Sequence, residues 1–158
     1  SKVLENVAGA AQELDANILV TTSRRTSAEV GNLVKAKLGN NSRAKLLIIA
    51  SERNPEWAVG GILGASSVVV VSGESASMLS EAASSGKHVI AFRLYKRPMA
   101  PGNNKHEAFL KRLSLSGFIR LSEVNNLKDD IVGLADSDEE PKRLNDSEKI
   151  YEAVKRII

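Results

Sequence analysis

The chain has 158 residues, enough for one domain with a substantial core, and at 42% hydrophobic but only 4% aromatic that core must be built from Val, Ile, Leu and Ala. The absence of cysteine excludes a disulfide framework, a thiolate metal site and a cysteine nucleophile, and no apolar run approaches the roughly 18 residues of a membrane span. The net charge of +3 is unevenly placed, with 16 Lys/Arg against 9 Asp/Glu (+7) in residues 1–121 and 6 against 10 (−4) in residues 122–158, so the basic body suits an anionic ligand.

The first predicted element is a helix over "KVLENVAGAAQELD", where Val3, Leu4, Val7, Ala10, Ala11 and Leu14 share one face. "NILVTT", from Asn17, is a short apolar strand. "TSAE" (Thr26 to Glu29) has capping-box spacing and starts a helix with the stripe Val30, Leu33, Val34 and Leu38. "AKLLIIA" (44–50) is a second buried strand. "NPEWAVGGILGA" (54–65) opens on Pro55 and predicts a short helix. "SVVVV" (67–71) is the third strand, residues 75–85 form a helix, and Gly86 stops it. "HVIAFRL" (88–94) is the fourth strand. A basic Pro/Gly loop, "RLYKRPMAPGNN", a helix over "KHEAFLKRLSLSG" and a short strand, "FIRL", come next. Residues 135–141 lie in a polar linker, and "DSEKIYEAVKRII" is an amphipathic terminal helix. There is no internal repeat.

Wholly apolar strands alternating with helices predict a parallel sheet covered on both faces, an α/β fold. Ligands of such sheets bind where strand ends turn into helices, which singles out the loops 22–26, 51–57 and 72–77. In the first loop, Ser23, Arg24, Arg25 and Thr26 sit before a helix N-terminus, where free N–H groups favour an anion and an arginine can clamp phosphate. In the second, Asn54 and Pro55 fix a turn able to meet a base edge. Trp57, the sole tryptophan, is expected to pack between helix and sheet, with base stacking as the other reading. In the third, Ser72, Gly73, Glu74 and Ser75 make the turn. Ser77, Glu81 and Ser84 then share one helix face, opposite Met78, Leu79, Ala82 and Ala83. Serine hydroxyls and helix-start amides bind phosphate without a P-loop lysine, and a carboxylate at Glu81 is suited to accept from sugar hydroxyls. A capped, solvated helix and a pair of solvated arginines are the plain alternatives for these loops.

Nothing in the chain pairs carboxylates or histidines at metal-ligand spacing. His88 falls on a strand and His106 on a helix. No cofactor and no metal are expected. Nucleic acid is not an expected partner either, because basic and aromatic residues do not interleave. A dehydrogenase or epimerase is disfavoured by the absence of GxGxxG and of Tyr-x-x-x-Lys. The N-terminus carries no signal-peptide pattern, so a soluble, cytoplasmic protein is the expectation.

"TTSRRT…E", "NP", "VVVSGESASMLSEAASSGKHV" and "KHEAFLKRLSLSGFIR" (105–120) occur in the order seen in the Elm-type mitochondrial-fission family, which the chain resembles over most of residues 17–121. Lys105, Phe109, Leu113, Gly117 and Arg120 carry the last match. Glu74 and Ser66 stand where that family usually has Asp, and Ser27 where Pro is common. The family in turn resembles GT-B glycosyltransferases. The resemblance implies a Rossmann-like three-layer α/β/α sandwich, similar to the C-terminal domain of GT-B enzymes, over residues 1–158. It also implies a nucleotide diphosphate or nucleotide sugar as ligand, with Glu81 on the ribose and residues 73–77 on the diphosphate. Arg24 or Arg25 and the N-terminus of the helix from residue 75 would then stabilise the departing diphosphate. The family is about twice this length, so a missing N-terminal domain would bring the acceptor site and any catalytic base. The other expectation from the same resemblance is a non-catalytic scaffold, recruited peripherally to a membrane or to a partner.

Overall fold

In a computed structural model of the chain, residues 1–93 and 104–145 are described. The predicted basic loop 94–103 and the predicted terminal helix, residues 146–158, lie outside the described residues. Eleven elements follow in order: α1 (Lys2–Glu13), β1 (Ile18–Thr21), α2 (Ala28–Leu38), β2 (Ala44–Ile48), α3 (Ala58–Ala65), β3 (Val68–Ser72), α4 (Ala76–Ser84), β4 (His88–Arg93), α5 (Asn104–Leu115), β5 (Arg120–Glu123) and α6 (Leu127–Ala135).

Every strand pairing is parallel, which requires a crossover between partners, and the helices supply it. The hydrogen-bonded ladder is in two pieces, β1–β2 and β3–β4–β5. Alternation along β3 and β4 sorts their side chains cleanly. Val69, Val71, Val89 and Ala91 pack with Leu79, Ala82 and Ala83 of α4 and with Leu110 and Leu113 of α5. Val68, Val70, Ile90 and Phe92 pack on the opposite side with Ala10 of α1 and Leu127, Ile131 and Leu134 of α6. A third cluster joins Ala11 of α1 to Ile18, Val34, Leu38 and Ile49. The arrangement is a parallel α/β sandwich of Rossmann-like character.

The stripe of α1 divides between the two pieces. Val3, Val7, Ala10 and Leu14 face the cluster under β3–β4, whereas Leu4, Val7, Ala8 and Ala11 face the one under β1–β2. One amphipathic helix therefore spans both ladders, with Val7 in each. Polar ties add to this: Lys37 of α2 bonds Glu5 at 3.0 Å and Lys128 of α6 bonds Glu13 at 2.8 Å. Lys37 holds the Glu5 carboxyl below its ordinary value, and Glu13 raises the Lys128 ammonium above its own.

Helix α6 is absent from the sequence expectations, which pass from "FIRL" to the polar linker. Its buried residues Leu127, Ile131 and Leu134 have helical spacing and bury against α1 and β4. These three positions are diluted by the run Lys128–Asp130, which hides the period. α3 starts at Ala58, later than its predicted opening at Pro55, because the Pro55 carbonyl is taken up in a turn by the Ala58 N–H at 3.0 Å. Gly86 (φ 72°) ends α4 as expected, in a backbone conformation that favours glycine.

Beyond α6 the chain becomes a strap over helix ends. The Leu144 N–H donates to Ala83 O (2.8 Å), Arg143 Nε to Ser84 O (2.9 Å) and Lys142 Nζ to Ser116 O (3.3 Å). These donors satisfy carbonyls that the C-termini of α4 and α5 leave free, where cations are also favoured by the helix dipole.

Candidate anion-binding site

Each of the three loops follows the carboxyl end of a strand. The first is a tightly closed turn. Ser23 N–H donates to Thr26 Oγ1 (3.1 Å), Arg25 N–H to Ser23 Oγ (3.1 Å) and Thr26 N–H to Ser23 O (3.0 Å). Thr26 is thus committed to the loop, and the cap of α2 is Ser27, whose Oγ accepts from Val30 N–H at 3.4 Å. That corrects the expectation of a cap at Thr26 by one residue: a hydroxyl already accepting from Ser23 is turned away from the helix. Arg24 and Arg25 are exposed, and no described group bonds either guanidinium.

The second loop is joined directly to the first. Thr22 N–H donates to Ile48 O (3.0 Å), and Thr22 Oγ1 accepts from Ala50 N–H (3.0 Å). Lys35 of α2 reaches back to Glu52 at 2.5 Å. Asn54 is exposed and Pro55 half-buried. Trp57 departs from its expected packing role. It is 58% exposed at the head of α3, with its ring edge near Gly61, where a Cβ would sit 3.3 Å from Trp57 Cε3.

The third loop rests on β4 and α5. Gly73 is buried and donates its N–H to Phe92 O at 2.8 Å. A Cβ there would stand 3.2 Å from that same carbonyl, so glycine is what allows the turn to lie against β4. His106 Nε2 lies 2.6 Å from Gly73 O. A carbonyl can only accept, so Nε2 carries the proton and donates. Gly73 is therefore held at both of its backbone groups.

Past that fixed point, Glu74 and Ser77 are exposed and Ser75 is half-buried, with Ser75 Oγ and Ser77 Oγ 3.4 Å apart. Ser75 is the N-cap of α4 but makes no side-chain cap bond, so the leading N–H groups of α4 are left to solvent or to a ligand. The faces of α4 fall as the spacing requires, with Leu79, Ala82 and Ala83 buried and Ser77 and Glu81 exposed. Lys87, an obvious partner for Glu81, instead donates to Gly64 O at 3.3 Å. No described group pairs with Glu81.

The structure thus ties loops 22–26 and 51–57 to each other, and loop 72–77 to α5. β1 and β3 belong to separate ladders, and no described hydrogen bond joins the first loop to the third. Two concavities lie elsewhere. One of about 370 Å³ adjoins His88 and Arg120 at the amino ends of β4 and β5, and one of about 500 Å³ lies between α4 and α5. Neither is lined by a residue of the three loops. Among the described residues no cluster of His, Asp and Glu is able to hold a metal ion.

The sequence does not single out Arg93 or Glu107, and it marks His106 only as a helix position outside any metal pair. Arg93 ends β4 and bonds Glu107 of α5 through Nη2 at 2.5 Å, while its buried Nε has no partner among the described residues. A basic residue closing an apolar strand was the available signal for Arg93. His106 had no such signal, because its partner is a backbone carbonyl 33 residues earlier.

A parallel α/β sandwich with polar and cationic loops at its strand ends is a Rossmann-like fold. The chain belongs to the family described as Mitochondrial fission ELM1, which matches it over residues 1–158. No curated protein and no solved structure gives a significant match. Among the described residues no helix is long and apolar enough to cross a membrane.

Proposed function

We propose that the chain is the nucleotide-diphosphate-sugar-binding domain of a GT-B-like glycosyltransferase. The observation that carries this reading is the start of α4, which lacks a side-chain cap and presents the hydroxyls of Ser75 and Ser77 beside leading N–H groups, with Glu81, which no described group pairs, one turn further on. Diphosphate oxygens accept from those donors and are favoured by the helix dipole. Glu81 accepts from the ribose hydroxyls. Arg24 and Arg25 supply the charge that a departing diphosphate needs, and the reaction requires no metal ion for that step. The exposure of Glu74, Ser77 and Glu81 fits a ligand covered from a second domain, and the exposed ring of Trp57 fits a base or a domain interface.

Titration calorimetry with UDP and GDP tests the reading. One of them is expected to bind and to raise the melting temperature. Replacing Arg24 and Arg25 together by alanine is expected to weaken that binding by about 1.5–3 kcal/mol per lost charged hydrogen bond, with little change in stability. Failure of a nucleotide panel to bind would favour the second reading, a non-catalytic scaffold with cytoplasmic or peripheral membrane placement. The exposure of Trp57 and of Leu115 (79%) is what speaks for that alternative.

A further inference from the structure

At the corner where β4 meets α5, the guanidinium of Arg93 is only half used. Nε and Nη2 of an arginine form one edge, a two-pronged donor matched to two oxygens of a single anion. Here Nη2 donates to Glu107 Oε1 at 2.5 Å, while Nε, buried from solvent, has no partner among the described residues. A buried donor left unpaired is unfavourable and rare in a settled structure. The pair as a whole is not buried, with Arg93 32% and Glu107 51% exposed, so exchanging Glu107 for another anion costs little.

This corner adjoins the candidate anion site. Arg93 directly follows Phe92, whose carbonyl holds Gly73 N–H, and its side chain is on the α4/α5 side of the sheet with Val89 and Ala91. Glu107 directly follows His106, which holds Gly73 O. The first turn of α5 therefore grips both the turn at residue 73 and the cation beside it. We propose that Arg93 is a further phosphate-contacting residue of this site and that Glu107 competes with the ligand for it, an inference that rests on the nucleotide-binding reading above. A diphosphate oxygen pair takes Nε and Nη2 together, and the Glu107 carboxylate moves out to solvent. Glu107 thereby lowers affinity for every weakly held anion and favours one that engages the whole edge.

The two residues make opposite predictions, which a purely structural ion pair does not. With the tighter of UDP and GDP as titrant, Arg93→Ala is expected to weaken binding at least about tenfold, the loss of one strong charged contact. Glu107→Gln is expected to tighten it by about threefold or more, and to have no effect in the Arg93→Ala background. The mild Glu107→Gln change keeps the test valid if Arg93→Ala lowers the melting temperature. Weakening by both variants, or an unchanged gain from Glu107→Gln when Arg93 is absent, overturns the proposal. Loss of binding in the Arg24/Arg25 double variant beside unchanged binding in Arg93→Ala overturns this proposal alone. If the native chain binds neither nucleotide, the nucleotide reading falls. Inorganic pyrophosphate then decides the corner: binding that follows the same variant pattern sustains Arg93 as an anion contact, and none removes it.

Discussion

Glu81 has few physical options. Its helix is committed to the core on the opposite face by Leu79, Ala82 and Ala83, its nearest obvious cation is spent on Gly64 O, and no described group pairs with it. A carboxylate so placed is either solvated or facing a ligand. If it accepts from two ribose hydroxyls, Glu81→Gln keeps the volume and loses the charge that strengthens both bonds. Nucleotide affinity should then fall tenfold or more, about 1.4 kcal/mol. A 2′,3′-dideoxy nucleotide should bind the native chain weakly and barely register the substitution. Calorimetry on the two ligands and two proteins checks all four values. An affinity for the unmodified nucleotide that Glu81→Gln leaves unchanged returns Glu81 to the solvated face of a helix.

At the scale of elements, α6 sets a clear demand. Leu127 is fully buried against α1 and Ile90, in a helix that charged residues disguise in the sequence. Leu127→Ala removes that contact and leaves a cavity, so the chain should lose about 2–5 kcal/mol in a denaturant titration. A loss near zero would mean that residues 127–135 do not pack as a helix on the sandwich. The same element shows how far the sequence could be read. Strands β3 and β4 were plain because they are apolar throughout, and α4 because its buried and exposed residues separate by spacing. The start of α6 was not, since Asn125, Asn126 and Lys128–Asp130 surround its first anchor with polar residues. At the site, the loops were legible from strand–helix succession, whereas Thr26's closure onto Ser23 and His106's bond to Gly73 depend on contacts that no local pattern encodes. Trp57 shows the converse limit: its type implies burial, yet its ring is exposed and lies along Gly61 at the head of α3.

For the whole molecule, the divided ladder decides how the parts are coupled. β1–β2 and β3–β4–β5 share no pairing, so cooperativity passes through packed helices, chiefly α1. Val7 packs in both clusters, Leu38 only in the cluster under β1–β2. Local opening follows such packing units rather than the chain as a whole. Native-state hydrogen exchange should therefore distinguish two substitutions. Leu38→Ala, at a residue 1% exposed, should speed exchange of the β1–β2 amides and leave the most protected amides of β4 close to their native rates. Val7→Ala should cost less in total, on the order of 1 kcal/mol for a partly buried methyl pair, yet speed exchange in both ladders. Equal acceleration everywhere by Leu38→Ala would show one cooperative unit in spite of the gap between β1 and β3. The first and third candidate loops would then be mechanically joined through the core. The expected separation instead leaves the Arg24–Arg25 turn free to adjust independently of the β3–α4–α5 corner.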